Sequence, residues 1–185
     1  SAGLCGCGVA DTDSDGFGEF GWLAEMTGAV PIRDATGPHN GPQIDPPSAA
    51  RSLGMVNANG VLTKAGYIFR LSLPDAPGAG ISEAANGGSP TGEAPDYCEQ
   101  CWIVYAWPSG YGGSGKRAFC VNHTGDILQT TNTGNATIAS YDSMSNMPTP
   151  DAAIETGSIG KMIGEFSIRD LPSSAVDGNV WTAVN

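Results

Sequence analysis

Tyr67-Ile68-Phe69-Arg70-Leu71-Ser72-Leu73 sets Tyr67, Phe69, Leu71 and Leu73 against Ile68, Arg70 and Ser72. Such alternation puts the two sets on opposite faces of a half-buried strand, with Gly66 opening it and Pro74 closing it. Cys101 to Trp107 (CWIVYAW) is nearly continuous in large apolar residues, the pattern of a central strand. Arg117 to Asn122 and Asp126 to Gln129 follow as further strands, joined by His123-Thr124-Gly125, a short hairpin turn whose glycine accepts the positive φ required there. Helical spacing occurs at Glu19 to Met26, where Phe20, Leu23 and Ala24 fall at i, i+3 and i+4, enough for about two turns before the Thr27-Gly28 stop signal. The predicted fold class is α+β, mainly β: a short N-terminal helix packed on a four-stranded antiparallel meander, with long Gly/Pro-rich loops and a C-terminal extension.

The remaining sequence breaks regular structure. Residues 1–18 are dominated by Gly, Cys and Asp and form an irregular entry segment, because glycine costs roughly 1 kcal/mol at each interior helical position. Between residues 31 and 59, prolines at 31, 38, 42, 46 and 47 leave room only for a turn of helix around Ser48 to Leu53. Residues 74–96 and 130–180 are polar and Gly-rich, with weak strand candidates at Ile159 to Ile168 and Val180 to Val184. Their composition predicts partial disorder unless neighbouring subunits clamp them. We read 1–185 as a single domain: entry segment 1–18, helix and sheet core 19–130, loop-rich extension 131–185.

Composition narrows the function classes. With 27 Gly and 13 Pro in 185 residues the chain is loop-rich, and 19 acidic groups against 8 Lys and Arg give a net charge of −11. That surface repels phosphate backbones and anionic lipid, which argues against nucleic-acid and membrane-surface binding and makes cations the natural small partners. The sequence contains no run of 18 apolar residues, so it predicts no membrane span. Five cysteines, four of them in the close pairs Cys5/Cys7 and Cys98/Cys101, predict disulfides of a secreted protein rather than cytosolic thiols. The sequons at Asn122 and Asn135 are compatible with export, and a chain opening on Ser1 reads as a processed product.

The order of these elements resembles the globular heads of bacterial type IV pilin-like and type II secretion pseudopilin-like proteins. The resemblance rests on the Leu-Ala-Glu-Met helix, Lys64-Ala65-Gly66-Tyr67-Ile68-Phe69, Tyr105-Ala106-Trp107-Pro108, Gly115-Lys116-Arg117-Ala118-Phe119 and Asn122-His123-Thr124-Gly125-Asp126-Ile127-Leu128, within residues 17–130. It implies an extracellular or cell-surface subunit that assembles with copies of itself. The family polymerises through a long hydrophobic N-terminal helix, which this sequence does not contain.

Asp11-Thr12-Asp13-Ser14-Asp15-Gly16 is the first half of a calcium loop. Carboxylates at alternate positions followed by glycine wrap one hard cation, so Asp11, Asp13 and Asp15 supply side-chain oxygens, Phe17 a backbone carbonyl and Glu19 a further ligand to Ca2+. At the twelfth position the full pattern needs a bidentate Glu, and this chain has Trp22; Glu25 or the long loops must complete the shell. The competing reading is a solvated Asp/Gly turn.

Two glycine-rich matches lack their nucleotide-binding context. Gly16 to Gly21 follows an acidic run rather than a strand, and in Gly110 to Lys116 the next residue is Arg117 instead of Ser or Thr. The cysteine pairs predict a tie from Cys5 or Cys7 to Cys98 or Cys101, with a four-thiolate zinc site as the weaker reading. Trp102, Tyr105, Trp107 and Phe119 are expected in the core, and Tyr111 at an interface. The sequence offers no nucleophile or acid/base pair, so the expectation is not an enzyme. It is a structural subunit of an extracellular filament or tube, stabilised by calcium and disulfides, with a soluble secreted calcium-dependent binding or adhesion module as the alternative.

Overall fold

A computed structural model describes residues 8–134, 139–158, 161–166 and 175–184. The chain forms β1 (Leu62–Lys64), β2 (Tyr67–Leu73), β3 (Ile81–Ser82), β4 (Ile103–Pro108), β5 (Ala118–Asn122), β6 (Ile127–Thr130) and β7 (Thr182–Ala183). They make one seven-stranded sheet in the order β1-β2-β4-β5-β6-β7, with β3 also paired to β2, and every pairing is antiparallel. The helices are single turns, α1 (Leu23–Met26) and α2 (Pro95–Cys98), and two 3-10 turns lie at Arg51–Leu53 and Thr156–Ser158.

This corrects the expected α+β layer of a helix on a four-stranded meander: the protein is mainly β. Strands do form at β2, β4, β5 and β6, and β7 falls within the weak candidate Val180 to Val184, but β1, β3 and β7 together widen the sheet beyond the four-stranded meander. Their two or three residues are too few to display a period. The expected two-turn helix at Glu19 to Met26 shrinks to one turn because the residues before Leu23 are used otherwise. Glu19 pairs with Ala10, the Phe20 N–H donates to Cys98 O at 2.8 Å, and Trp22 is extended. Gly21 lies so close to its neighbours that a Cβ there would sit 2.9 Å from Val9 Cγ2.

Alternation divides the sheet into two faces. Ile68, Ile103, Tyr105, Trp107, Ala118, Cys120 and Leu128 point to one side, where they pack with Tyr141, Ala152, Ala153, Ile154, Met162, Ala175 and Trp181. The described parts of the C-terminal extension are therefore ordered by the chain's own sheet, contrary to the expectation of disorder or a clamp from neighbours. Burial of each large apolar side chain here contributes about 1.5–3 kcal/mol. Tyr105 also ties the layers by polar contact: its hydroxyl donates to Pro150 O at 3.2 Å and accepts from the Ala153 N–H at 2.9 Å. Of the candidate strand Ile159 to Ile168, residues 159–160 and 167–168 lie outside the described residues; within it, Phe166 bridges to Ile154.

The opposite face carries Leu71, Leu73, Trp102 and Val104, which meet Trp22, Phe20, Leu23, Met26 and Cys98 at one end. Trp102 and Phe119 are thus only half-buried, whereas Tyr105 and Trp107 are core. Tyr111 is half-buried in the β4–β5 connection, with its N–H on Asp142 Oδ1 at 2.7 Å.

Candidate functional site

The acidic entry turn is closed at its base by backbone bonds between residues 9–10 and Glu19, at 2.7 Å and 2.8 Å. Within it, Asp13 Oδ1 accepts the Asp15 N–H at 3.3 Å and Asp15 Oδ1 accepts the Phe17 N–H at 2.8 Å. Ser14 and Gly16 both have positive φ, 65° and 95°. These turns gather Asp13 and Asp15 toward α2, where Asp96 and Glu99 stand one turn apart. Oxygens of Asp13, Asp15, Asp96 and Glu99 all lie within 4.8 Å of one another.

Two of these carboxylates, Asp13 and Glu99, hold their protons more tightly than usual. Loss of hydration, and beyond it the charge of Asp15, raises Asp13; loss of hydration followed by Asp15, Asp13 and Asp96 raises Glu99. Glu99 Oε1 is withdrawn from water without a hydrogen-bond partner. Four carboxylates form a hard, all-oxygen donor set of the kind Ca2+ takes.

Of the other carboxylates expected to bind calcium, neither Asp11 nor Glu19 is in this group. Asp11 is outside the four-carboxylate group, and its Oδ1 is buried without a partner. Phe17 exposes 58% of its surface. Glu19 turns inward: its Oε1 accepts Thr12 N–H and O–H at 2.6 and 2.5 Å, and its Oε2 meets Arg33 Nη2 at 3.0 Å. Glu25, the suggested completing ligand, is also interior, with Oε2 2.6 Å from Arg33 Nη1 and accepting the Trp22 N–H at 2.9 Å. Asp96 and Glu99 instead stand beside Asp13 and Asp15, far along the chain, and no local spacing pointed to them.

The cysteines contribute no crosslink among the described residues: Cys98, Cys101 and Cys120 are free thiols. Cys5 and Cys7, and with them the expected tie and the thiolate zinc alternative, lie outside the described residues. Burial pushes the Cys98 thiol up to about 12, and its Sγ donates to Pro74 O at 3.4 Å. A thiol so placed is a poor nucleophile and a poor metal ligand. Asn122 of the first sequon is buried, and its Oδ1 accepts the N–H and O–H of Thr124 at 3.1 and 2.7 Å; Asn135 lies outside the described residues. Gly110 to Lys116 is the β4–β5 connection, so a strand follows it instead of the helix that a phosphate loop needs.

No protein-family model, no curated protein and no solved structure matches this chain.

A second feature lies on the opposite sheet face, beyond the end that Trp22 and Cys98 cover. Leu71 pairs with Val104, Val104 with Val121, and Val121 with Ile127, giving one apolar row across four strands. With Phe20, Leu23, Met26, Leu53, Leu62, Phe69 and Trp102, the first three residues of this row, Leu71, Val104 and Val121, line a groove of about 480 Å³. The row ends on Ile127, 51% exposed, beside Val184, 43% exposed, whose N–H bonds to Ile127 O at 2.9 Å. No helix among the described residues is long and apolar enough to cross a membrane.

Proposed function

We propose that the chain is a structural subunit of an extracellular polymer, built by seating an apolar surface of one copy in the sheet groove of the next and stabilised by Ca2+ at the entry turn. One observation carries this reading: one sheet face is fully packed, whereas the other is covered by the described chain only at the end that meets Trp22 and Cys98, leaving an apolar groove past Val104 and Val121. Contiguous apolar patches of this kind mark interaction sites. The resemblance of residues 17–130 to pilin-like heads supports the same assignment.

The surface that fits the groove lies around the carboxylate group. Phe17, two residues beyond Asp15, and Tyr97, next to Asp96, are both exposed apolar side chains. A cation shared by Asp13, Asp15, Asp96 and Glu99 fixes the turn carrying Phe17 against the helix carrying Tyr97. Because knob and groove are different residues, the contact is head-to-tail and propagates into an open chain wherever its rotation fails to close.

The alternative, a calcium-dependent binding module, is favoured by a polar cleft of about 180 Å³ lined in part by Thr12, Arg33, Asp34, Ser89, Thr91 and Glu93. Light scattering and negative-stain microscopy separate the two readings. Wild type with calcium is expected to assemble, and Val121→Asp, which puts a charge in the groove, is expected to stay monomeric with an unchanged circular dichroism spectrum. Wild type that remains monomeric at every concentration, with or without calcium, overturns the polymer reading.

A further inference from the structure

Glu83 joins two segments far apart in sequence. Its Oε1 accepts the Ala24 N–H of α1 at 2.8 Å and the Gly88 N–H at 2.9 Å. The side chain is only 4% exposed, and its Oε2 is buried with no hydrogen-bond partner. α1 receives no cap from the side chain of Trp22, so a residue 59 positions away satisfies one of its free N–H groups. The loop lies directly on the helix: a Cβ on Gly87 would meet Ala24 Cβ at 2.5 Å.

The charges around Glu83 do not neutralise it. Both ion pairs among the described residues belong to Arg33, which is committed to Glu19 and Glu25. From α1, Glu25 adds a like charge. Beyond the loop, the His39 ring covers Gly88, where a Cβ would lie 2.2 Å from Nε2.

We propose that Glu83 is a protonation-operated clasp between residues 83–88 and α1, closed while the carboxyl holds its proton and loosened when it ionises. Because Leu23 and Met26 of α1 wall the groove, the clasp makes that wall respond to pH. The clasp itself stands apart from the polymer reading, and its test uses the isolated protein.

Burial raises Glu83 from 4.5 to about 7, outweighing the backbone N–H groups of Gly88, Ala24 and Leu23, which favour the ionised form, and Glu25 adds a smaller rise. The folded chain therefore holds a proton that the unfolded chain releases at lower pH. The sign follows: the stabilisation is fully present below about 4.5, declines as pH rises and is gone above about 7. The experiment is urea unfolding of wild type and Glu83→Gln at pH 5, 6, 7 and 8, with a carboxyl 13C NMR titration of wild type. The unfolding constant of wild type relative to the variant is expected to rise roughly tenfold per pH unit between 5 and 7 and then level. Glu83 should titrate near neutrality, with amide exchange at Ala24 and Gly88 accelerating through the same midpoint. Parallel stability profiles, or a Glu83 carboxyl that titrates in the ordinary carboxylate range, overturn the clasp. If Glu83→Gln fails to fold, the wild-type titration and exchange data decide alone.

Discussion

Arg33 Nη1 lies 2.6 Å from Glu25 Oε2 in the interior, with the arginine 3% exposed and the glutamate fully buried. The same guanidinium reaches Glu19 Oε2 through Nη2 at 3.0 Å and Nε at 3.2 Å, and donates to Phe20 O at 2.8 Å. Burial raises Glu25, and Arg33 opposes that shift. Removing the cation leaves two buried carboxylates facing each other without compensation.

Arg33→Met is therefore expected to cost about 3–5 kcal/mol, the range for breaking a buried pair by deleting one partner. Urea melts should show a lower midpoint at an unchanged slope. The triple variant Arg33→Met, Glu19→Gln, Glu25→Gln should recover part of the loss, because it removes the stranded charges as well. A single variant that melts with wild type would show that water reaches the pair and screens it.

None of this network was legible in the sequence. Glu19 carried a calcium expectation because it stands at the right offset from Asp11, and only the fold reveals that Arg33 claims it. The strands β2, β4, β5 and β6 were visible because each contributes several residues to an alternating or strongly apolar pattern. Tyr141 and Ile154 were not, since each is embedded in polar sequence and becomes core only when laid against β4, β5 and β6, while Met162 and Trp181 stood only within the weak strand candidates Ile159 to Ile168 and Val180 to Val184. The candidate metal group was half visible: Asp13 and Asp15 announce themselves by spacing, whereas Asp96 in α2 and Glu99 just after it carry no spacing signal and are brought there by the fold.

Cysteine chemistry gives a second test. Cys98 and Cys120 are buried and Cys101 is half-buried, and burial raises all three thiols. Under native reducing conditions at pH 8, iodoacetamide is expected to modify Cys101 ahead of Cys98 and Cys120, with the latter two reacting only on unfolding. Of the cysteines expected to crosslink to the entry segment, Cys101 is then the reachable one. Mass mapping after a short pulse reads the order directly, and early labelling of Cys98 contradicts its placement against Pro74.

Calcium at the entry turn predicts a pattern across variants that separates the four-carboxylate group from the local Asp loop. In the local reading, Asp11, Asp13 and Asp15 act together and α2 is irrelevant. In the structure, Asp13 and Asp15 face Asp96 and Glu99, and Asp11 is not among them. A cation held by all four removes their mutual repulsion and pins the turn to α2. At 100 times its dissociation constant, a ligand that binds only the folded state adds about 2.7 kcal/mol, which for a chain of this size raises the melting temperature by roughly 5–10 °C. The measurement is a thermal melt in chelator against excess calcium. Wild type and Asp11→Asn should show the rise, while Asp13→Asn and Asp96→Asn should lose most of it. The two single variants should also melt slightly above wild type in chelator, because each removes one of four crowded negative charges. Loss of the rise in Asp11→Asn with retention in Asp96→Asn restores the local loop, and no rise in wild type leaves the Asp turn as a solvated surface feature.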